Sequence, residues 1–319
     1  MIYLVWVPLL MPFLAVPAAR RVAVALAPRH AAWLLTVVAL VLAASSSAAL
    51  ALLVVPGASY LPVVAVLGEL LEPLRAGPPV VAVALALVAG SLLVWRTAVL
   101  AAAAHRSRAE LRRARAAAGG TEGELAVLRD SRPDAYALPG RPGRIVVTTG
   151  MLRALEPAER EALFAHERAH LRGRHHLFLT AVELAALCHP ALRALCEPLR
   201  YALERAADEA AAVAVGDRRL AARAIGRAAL AAREDRAQDR DHARPRAVLA
   251  ATAGPVPRRV AALLGGSGGA SGPGLPSGTG RLIAGALLCC VALSGATAVG
   301  AADDLHDHIE IAQGESAAD

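Results

Sequence analysis

His166, Glu167 and His170, within HERAHLRGRHH (166–176), have the types and spacing that a metal-dependent hydrolase needs. Four residues advance an α-helix by about 400°. His166 and His170 therefore leave one face a turn apart and can hold one zinc ion through their imidazoles. Glu167 is offset by about 100°. It stands beside such an ion without ligating it, placed to take a proton from attacking water and pass it to the leaving amine of a peptide. H-E-x-x-H is short enough to arise by chance, with both His on an ordinary helix face and Glu a solvated charge. The surrounding signals favour the chemical reading. Pro157 suits a first helical position, Glu159 the negative-preferring first turn and Gly173 a stop, which predicts a helix over 157–172.

Catalytic zinc takes three protein ligands and keeps one position open. The longer pattern H-E-x-x-H-x-x-G-x-x-H offers His176, as in metzincins, but those also carry a downstream methionine turn. The methionines here are Met1, Met11 and Met151, all upstream of His176. His175 and His176 then read as polar residues at a helix start near the metal. The other candidate is Glu204, in YALERAADEAA. Glu204 and Asp208 are i and i+4 on one helical face. Glu204 completes a His-His-Glu set, and Asp208 is suited to accept a hydrogen bond from a ligand imidazole and fix its tautomer. Glu209 and Arg205 lie in the same stretch, so an exposed charged face is the competing reading of these residues.

The elements that carry these residues sit in an apolar chain. Of 319 residues 56% are hydrophobic, and mean hydropathy is +0.47, values that point to membrane segments. The formal charge is +7, and all 34 basic residues are arginine. Membrane proteins gather positive charge on the cytoplasmic side, and aromatics are only 3%, too few for a stacking platform, so no nucleic-acid partner is expected. Cys188, Cys196, Cys289 and Cys290 match no zinc or disulfide framework. The first two read as reduced core thiols and the last two as membrane packing residues.

Four apolar runs approach the ~20 residues a bilayer requires: about 1–19, 31–55, 79–100 and 282–300. The first lacks a preceding positive charge and is followed by Arg20 and Arg21, the reverse of a secretory signal. It reads as an uncleaved anchor with its N-terminus outside. Arg20, Arg21 and Arg29 lie after the first run, and Arg96, Arg106, Arg108, Arg112, Arg113 and Arg115 after the third. Both regions are predicted cytoplasmic. The intervening loop 56–78, with Glu69 and Glu72, and the acidic tail 301–319 fall outside. The fold class is thus mainly α: a multi-pass membrane protein with about four transmembrane helices and a cytoplasmic α+β zinc protease domain with a small sheet.

That domain is expected over 101–264, with a flexible linker at 265–281 before the fourth run. Residues 101–118 read as a basic helix near the membrane surface. Tyr136–Leu138 and Ile145–Thr149 read as strands around a Pro-Gly turn. Residues 177–215 read as helical, broken near Pro190 and Pro198, with Glu183 inside an apolar stretch that rests on the membrane or is buried rather than forming a fifth span.

AYALPGRPGRIVVTTGML, AEREALFAHERAHLRGRHH and LERAADEAA, in that order after three apolar runs, resemble the BlaR/MecR-type integral-membrane metallopeptidases. They are also similar to the related HtpX-type and CAAX-prenyl-protease enzymes. All are gluzincin-like. The resemblance implies His166, His170 and Glu204 as ligands of one zinc ion, Glu167 as base and Asp208 as the residue that orients a ligand. GPVPRRVAALL, with Arg258 and Arg259, resembles the family's terminal Pro-Arg-Val segment. By the same analogy the strand at Ile145–Thr149 pairs with an extended substrate as an added strand. The implied partners are the lipid bilayer and a protein substrate, such as a BlaI-type transcriptional repressor. Alternatives are a quality-control protease of HtpX type and a non-proteolytic membrane signalling protein. BlaR/MecR receptors carry a penicillin-binding sensor domain after the fourth span; about twenty residues follow it here, so β-lactam sensing by this chain is not expected. His306 and His308 belong to this tail and read as part of a solvated acidic end.

Overall fold

The computed structural model describes residues 2–69, 72–74, 77–117, 123–238, 255–265 and 277–313. Four of its helices are long and apolar enough to cross a membrane. They are α1 (Ile2–Ala25), α2 (Pro28–Ala58), α4 (Pro79–Ala117) and α11 (Ser277–Ala312); a short α3 (Pro62–Leu67) lies between the second and third of them. Trp6, Leu10, Phe13, Leu40, Leu87 and Leu293 are exposed on their outer faces, an apolar girdle that a soluble protein would not present to water. Small residues let the helices approach closely. A Cβ on Gly57 of α2 would sit 2.4 Å from the carbonyl oxygen of Ala82 on α4.

These helices differ from their sequence boundaries in length. The third apolar run and the basic juxtamembrane helix are one element, because Ala-rich sequence without Gly or Pro carries α4 from one into the other. Likewise α11 continues through the acidic stretch to Ala312, so residues 301–312 are helical rather than a loose tail. The side-chain amide of Gln313 donates to the Gly68 carbonyl at 2.7 Å, joining that end to the loop after α3. Most of the expected linker, 266–276, lies outside the described residues, as does 314–319.

Between α4 and α11 stand the three strands and the remaining helices. β1 (Leu125–Leu128), β2 (Ala135–Leu138) and β3 (Arg144–Thr148) form a sheet in the order β1-β3-β2, β3 pairing parallel with β1 and antiparallel with β2. This corrects one expectation. β3 is central, with both edges occupied, and cannot accept an added strand; only the outer edges of β1 and β2 are available. The reason is β1, whose four residues LAVL are too short to stand out in sequence.

α5 (Thr149–Ala154), α6 (Pro157–Arg172), α7 (His175–Cys188), a 3-10 turn (Pro190–Leu195), α8 (Cys196–Val215), α9 (Arg218–Gln238) and α10 (Val256–Leu264) complete the fold. α7 spans about 21 Å at 1.5 Å per residue, short of a bilayer. Its inner face, Leu179, Val182, Ala185 and Ala186, joins Val22, Leu35 and Leu42 of α1 and α2 and Leu199 and Leu203 of α8 in one core. α7 and α8 thus share a single apolar cluster with the membrane-length helices α1 and α2. Glu183, conspicuous in that apolar helix, pairs with Arg200 of α8 at 2.5 Å. All four cysteines are free thiols.

Candidate metal centre

The metal-site helix α6 begins as its sequence predicts. Pro157 takes the first position, and Glu156 and Glu159 form a reciprocal capping box. Arg227 of α9 reaches both carboxylates, at 2.9 and 3.0 Å. Leu163 and Phe164 anchor one side of α6 against Ile145, Val147 and Met151, which turns His166 and His170 toward α8.

There Glu204 meets them. Its Oε2 lies 3.5 Å from His166 Nε2 and its Oε1 3.7 Å from His170 Nε2, while the two Nε2 atoms are 3.0 Å apart. Ligands about 2.1 Å from a tetrahedral zinc stand roughly 3.4 Å from one another, a value these distances bracket. Among the described residues, this trio is the cluster of His, Cys, Asp and Glu side chains able to share an ion. All three are buried, as is Glu167, whose exposure is 0%.

Each imidazole is engaged on its outward nitrogen, leaving Nε2 for the interior. His166 Nδ1 lies 3.0 Å from Asp208 Oδ1, as the i, i+4 spacing of Glu204 and Asp208 predicts. His170 Nδ1 lies 2.7 Å from His175 Nδ1. His175 opens α7, and its ring sits over Gly173, where a Cβ would approach within 2.4 Å. Gly173 has an ordinary helical φ of −75°, so it is the packed imidazole, not the backbone at the helix end, that calls for glycine. His176, the rival ligand, is not in the cluster; it lines a separate basic cavity with Arg115, Arg141 and Arg174.

One residue of the centre escaped sequence reasoning. Arg259 of α10 is completely buried. Its Nη1 lies 2.7 Å from Glu204 Oε2, and its Nε and Nη2 bond the two oxygens of Asp208 at 2.8 and 2.6 Å. This bidentate fork holds the two carboxylates of α8 in place. PRRV marked the segment, but two adjacent arginines gave no sign of which one turns inward. Arg258 instead stacks over Tyr201, 5.2 Å from the ring centroid.

Charge in the centre follows from burial and these neighbours. Burial opposes a charge on His166, but Asp208 and Glu204 outweigh it and raise its pKa to about 9. His170 is held well below its ordinary value by burial and by its neighbours His166, His175 and Arg259. Burial, then His166 and His176, lowers His175 to about 4. Asp208 is kept ionised: Arg259 and His166 overcome the effect of burial. Arg259 is held firmly charged because Glu204, Asp208 and Glu167 overcome its own desolvation. Three carboxylates around one guanidinium make a closed site that favours a further cation. The donor set, the spacing and the charge all fit zinc.

Comparison with curated proteins and with solved structures returns no significant match. Residues 101–194 match the family model described as Peptidase family M48. That segment contains His166, Glu167 and His170 and ends before Glu204, Asp208 and Arg259, which the tertiary structure adds to it. The family match and the His-His-Glu cluster together support a metallopeptidase carried by a chain with four membrane-length helices.

Proposed function

We propose that the chain is a membrane-embedded zinc metalloendopeptidase acting in regulatory proteolysis. The observation that carries this reading is the convergence of His166, His170 and Glu204 with Glu167 on the same buried turn. His166 Nε2, His170 Nε2 and a Glu204 oxygen are the atoms that would hold the ion. Zinc in such a site supplies Lewis acidity and makes hydroxide available near neutral pH. Glu167 accepts the proton of the attacking water and delivers it to the leaving amine. Asp208 and His175 keep the two ligand imidazoles in one tautomer and orientation, and Arg259 holds Asp208 and Glu204. Because Glu167 has no exposure, a peptide reaches it through a more open arrangement of these helices.

The cytoplasmic placement of the peptidase rests on the arginines. Arg29, from the α1–α2 side, and Arg172, from α6, line the same cavity, which is what a single cytoplasmic face for both regions requires. A regulatory protein substrate, such as a BlaI-type repressor, is the reading favoured by the resemblance to BlaR/MecR-type enzymes. The test is proteomics of cleaved peptides in cells carrying wild-type or Glu167→Gln protein. One soluble regulator lost from the cleavage set supports the proposal. A broad set of misfolded membrane proteins would favour quality control, and identical cleavage in both strains would refute the peptidase itself.

A further inference from the structure

A second cavity lies beside the candidate metal centre: its lining includes His175, which contacts His170, and Ala165, Ala169 and Leu203, each next in sequence to one of the cluster residues. It has a volume of about 1120 Å³ and sits between the start of α2, the α6–α7 corner and α8. Its lining includes Arg29, His30, Arg172 and Arg174, none of which has an ion-pair partner among the described residues. Arg168 also lines it but shares its charge with Glu124. The lining carboxylate, Glu209, is satisfied by a bidentate pair with Arg218 at 2.6 and 2.8 Å. The cavity therefore has an uncompensated positive charge.

Its other wall is apolar. Trp33 packs edge-to-face on Phe178, ring centroids 4.8 Å apart, and remains 55% exposed. Val37 and Leu40 are exposed above it at i+4 and i+7 of α2, so an apolar track leads from the cavity along the membrane helix. Arg174 takes the left-handed conformation, φ 50° and ψ 40°, that ends α6 and starts α7 at the cavity's corner.

We propose that this cavity binds an anionic phospholipid, with its phosphate among Arg29, Arg172 and Arg174 and an acyl chain along Trp33, Val37 and Leu40. Free arginines at a membrane helix end beside an exposed tryptophan match the chemistry of an anionic headgroup joined to hydrocarbon. A soluble anion would use the arginines but leave the apolar track unexplained. The inference rests on the membrane reading of the four apolar helices, and its test reads lipid contact rather than proteolysis.

The test uses the full chain in Trp6→Phe/Trp95→Phe background, which leaves Trp33 as the sole tryptophan. The protein is placed in phosphatidylcholine vesicles containing increasing fractions of brominated phosphatidylglycerol or brominated phosphatidylcholine. Brominated phosphatidylglycerol should quench Trp33 at a much lower mole fraction. At about fivefold per arginine, Arg29→Gln/Arg172→Gln/Arg174→Gln should cut that preference roughly 100-fold, and each single variant about fivefold. Arg106→Gln/Arg108→Gln/Arg113→Gln, on the exposed side of α4, should leave it unchanged. Equal quenching by the two lipids, or equal loss in the α4 triple variant, overturns the proposal. Complete competition by glycerol phosphate also overturns it, because the site would then serve a soluble anion. No quenching by either lipid would instead refute the membrane reading.

Discussion

Replacing Arg259 by methionine removes one guanidinium from a place where Glu204 and Asp208 have almost no contact with water. Methionine fills similar space, so the main effect is electrostatic. The pair Arg259–Asp208 is bidentate at 2.8 and 2.6 Å, and Glu204 loses a cation at 2.7 Å. Removing one partner from a buried pair costs about 3–5 kcal/mol. At about 2–4 °C per kcal/mol in mid-sized domains, the apparent melting temperature should fall by roughly 6–20 °C. The measurement is thermal unfolding of detergent-solubilised protein with zinc chelated and with zinc in excess. Zinc should recover part of the loss, because the ion supplies positive charge to the same carboxylates. Combining Arg259→Met with Asp208→Asn should cost less than the sum of the single changes, since they break one shared interaction. Additive effects, or an Arg259→Met protein within about 1 °C of wild type without zinc, would refute the view that this guanidinium holds the centre together.

Three further outcomes follow from the same geometry. Glu204→Ala should abolish stoichiometric zinc binding measured by elemental analysis, while His176→Ala should retain it; the reverse pattern would restore His176 as the third ligand. His175→Ala removes the partner of His170 Nδ1 and should weaken zinc affinity about 10–100-fold in a chelator competition, with Glu167 and the ligands intact. For pH, His166 is raised to about 9 in the folded metal-free protein. The stability it contributes is complete below its ordinary value of 6.5 and is lost as pH rises through 9. His170 and His175 are lowered, so their contribution is present above 6.5 and lost as pH falls through the folded values. Melting of the metal-free protein should therefore decline on both sides of about pH 6.5, and saturating zinc should remove the alkaline decline by replacing the proton; an alkaline decline that persists with zinc would contradict the ion's place at His166.

Much of the centre was legible in the chain because it depends on local geometry. A 3.6-residue period puts His166 and His170 on one face, and Glu204 and Asp208 on another, whatever surrounds them. The ends of α6 follow from Pro157, its capping carboxylates and Gly173, all within a few residues of the positions they govern. The apolar runs announced four membrane-length helices for the same reason. Where those helices stop was less legible, since Ala-rich and charged sequence both continue a helix with little cost, as α4 and α11 show.

Long-range pairing decided the rest. β1 acquires its identity by hydrogen bonding to β3, and that partnership makes β3 central and closes it to substrate. Arg259 is separated from Asp208 by 51 residues, and no periodicity connects them; only the packing of α10 on α8 and α9 turns this arginine inward and Arg258 out to Tyr201. His175 is a similar case. Its type and nearness to the motif were visible, but whether it ligates, stacks or holds His170 depends on the turn at Arg174 and on the bare backbone of Gly173. Donor spacing within one helix is a property of covalent geometry and hydrogen-bond repeat. The closing of a third ligand and its guanidinium over that helix depends on which distant surfaces exclude water together.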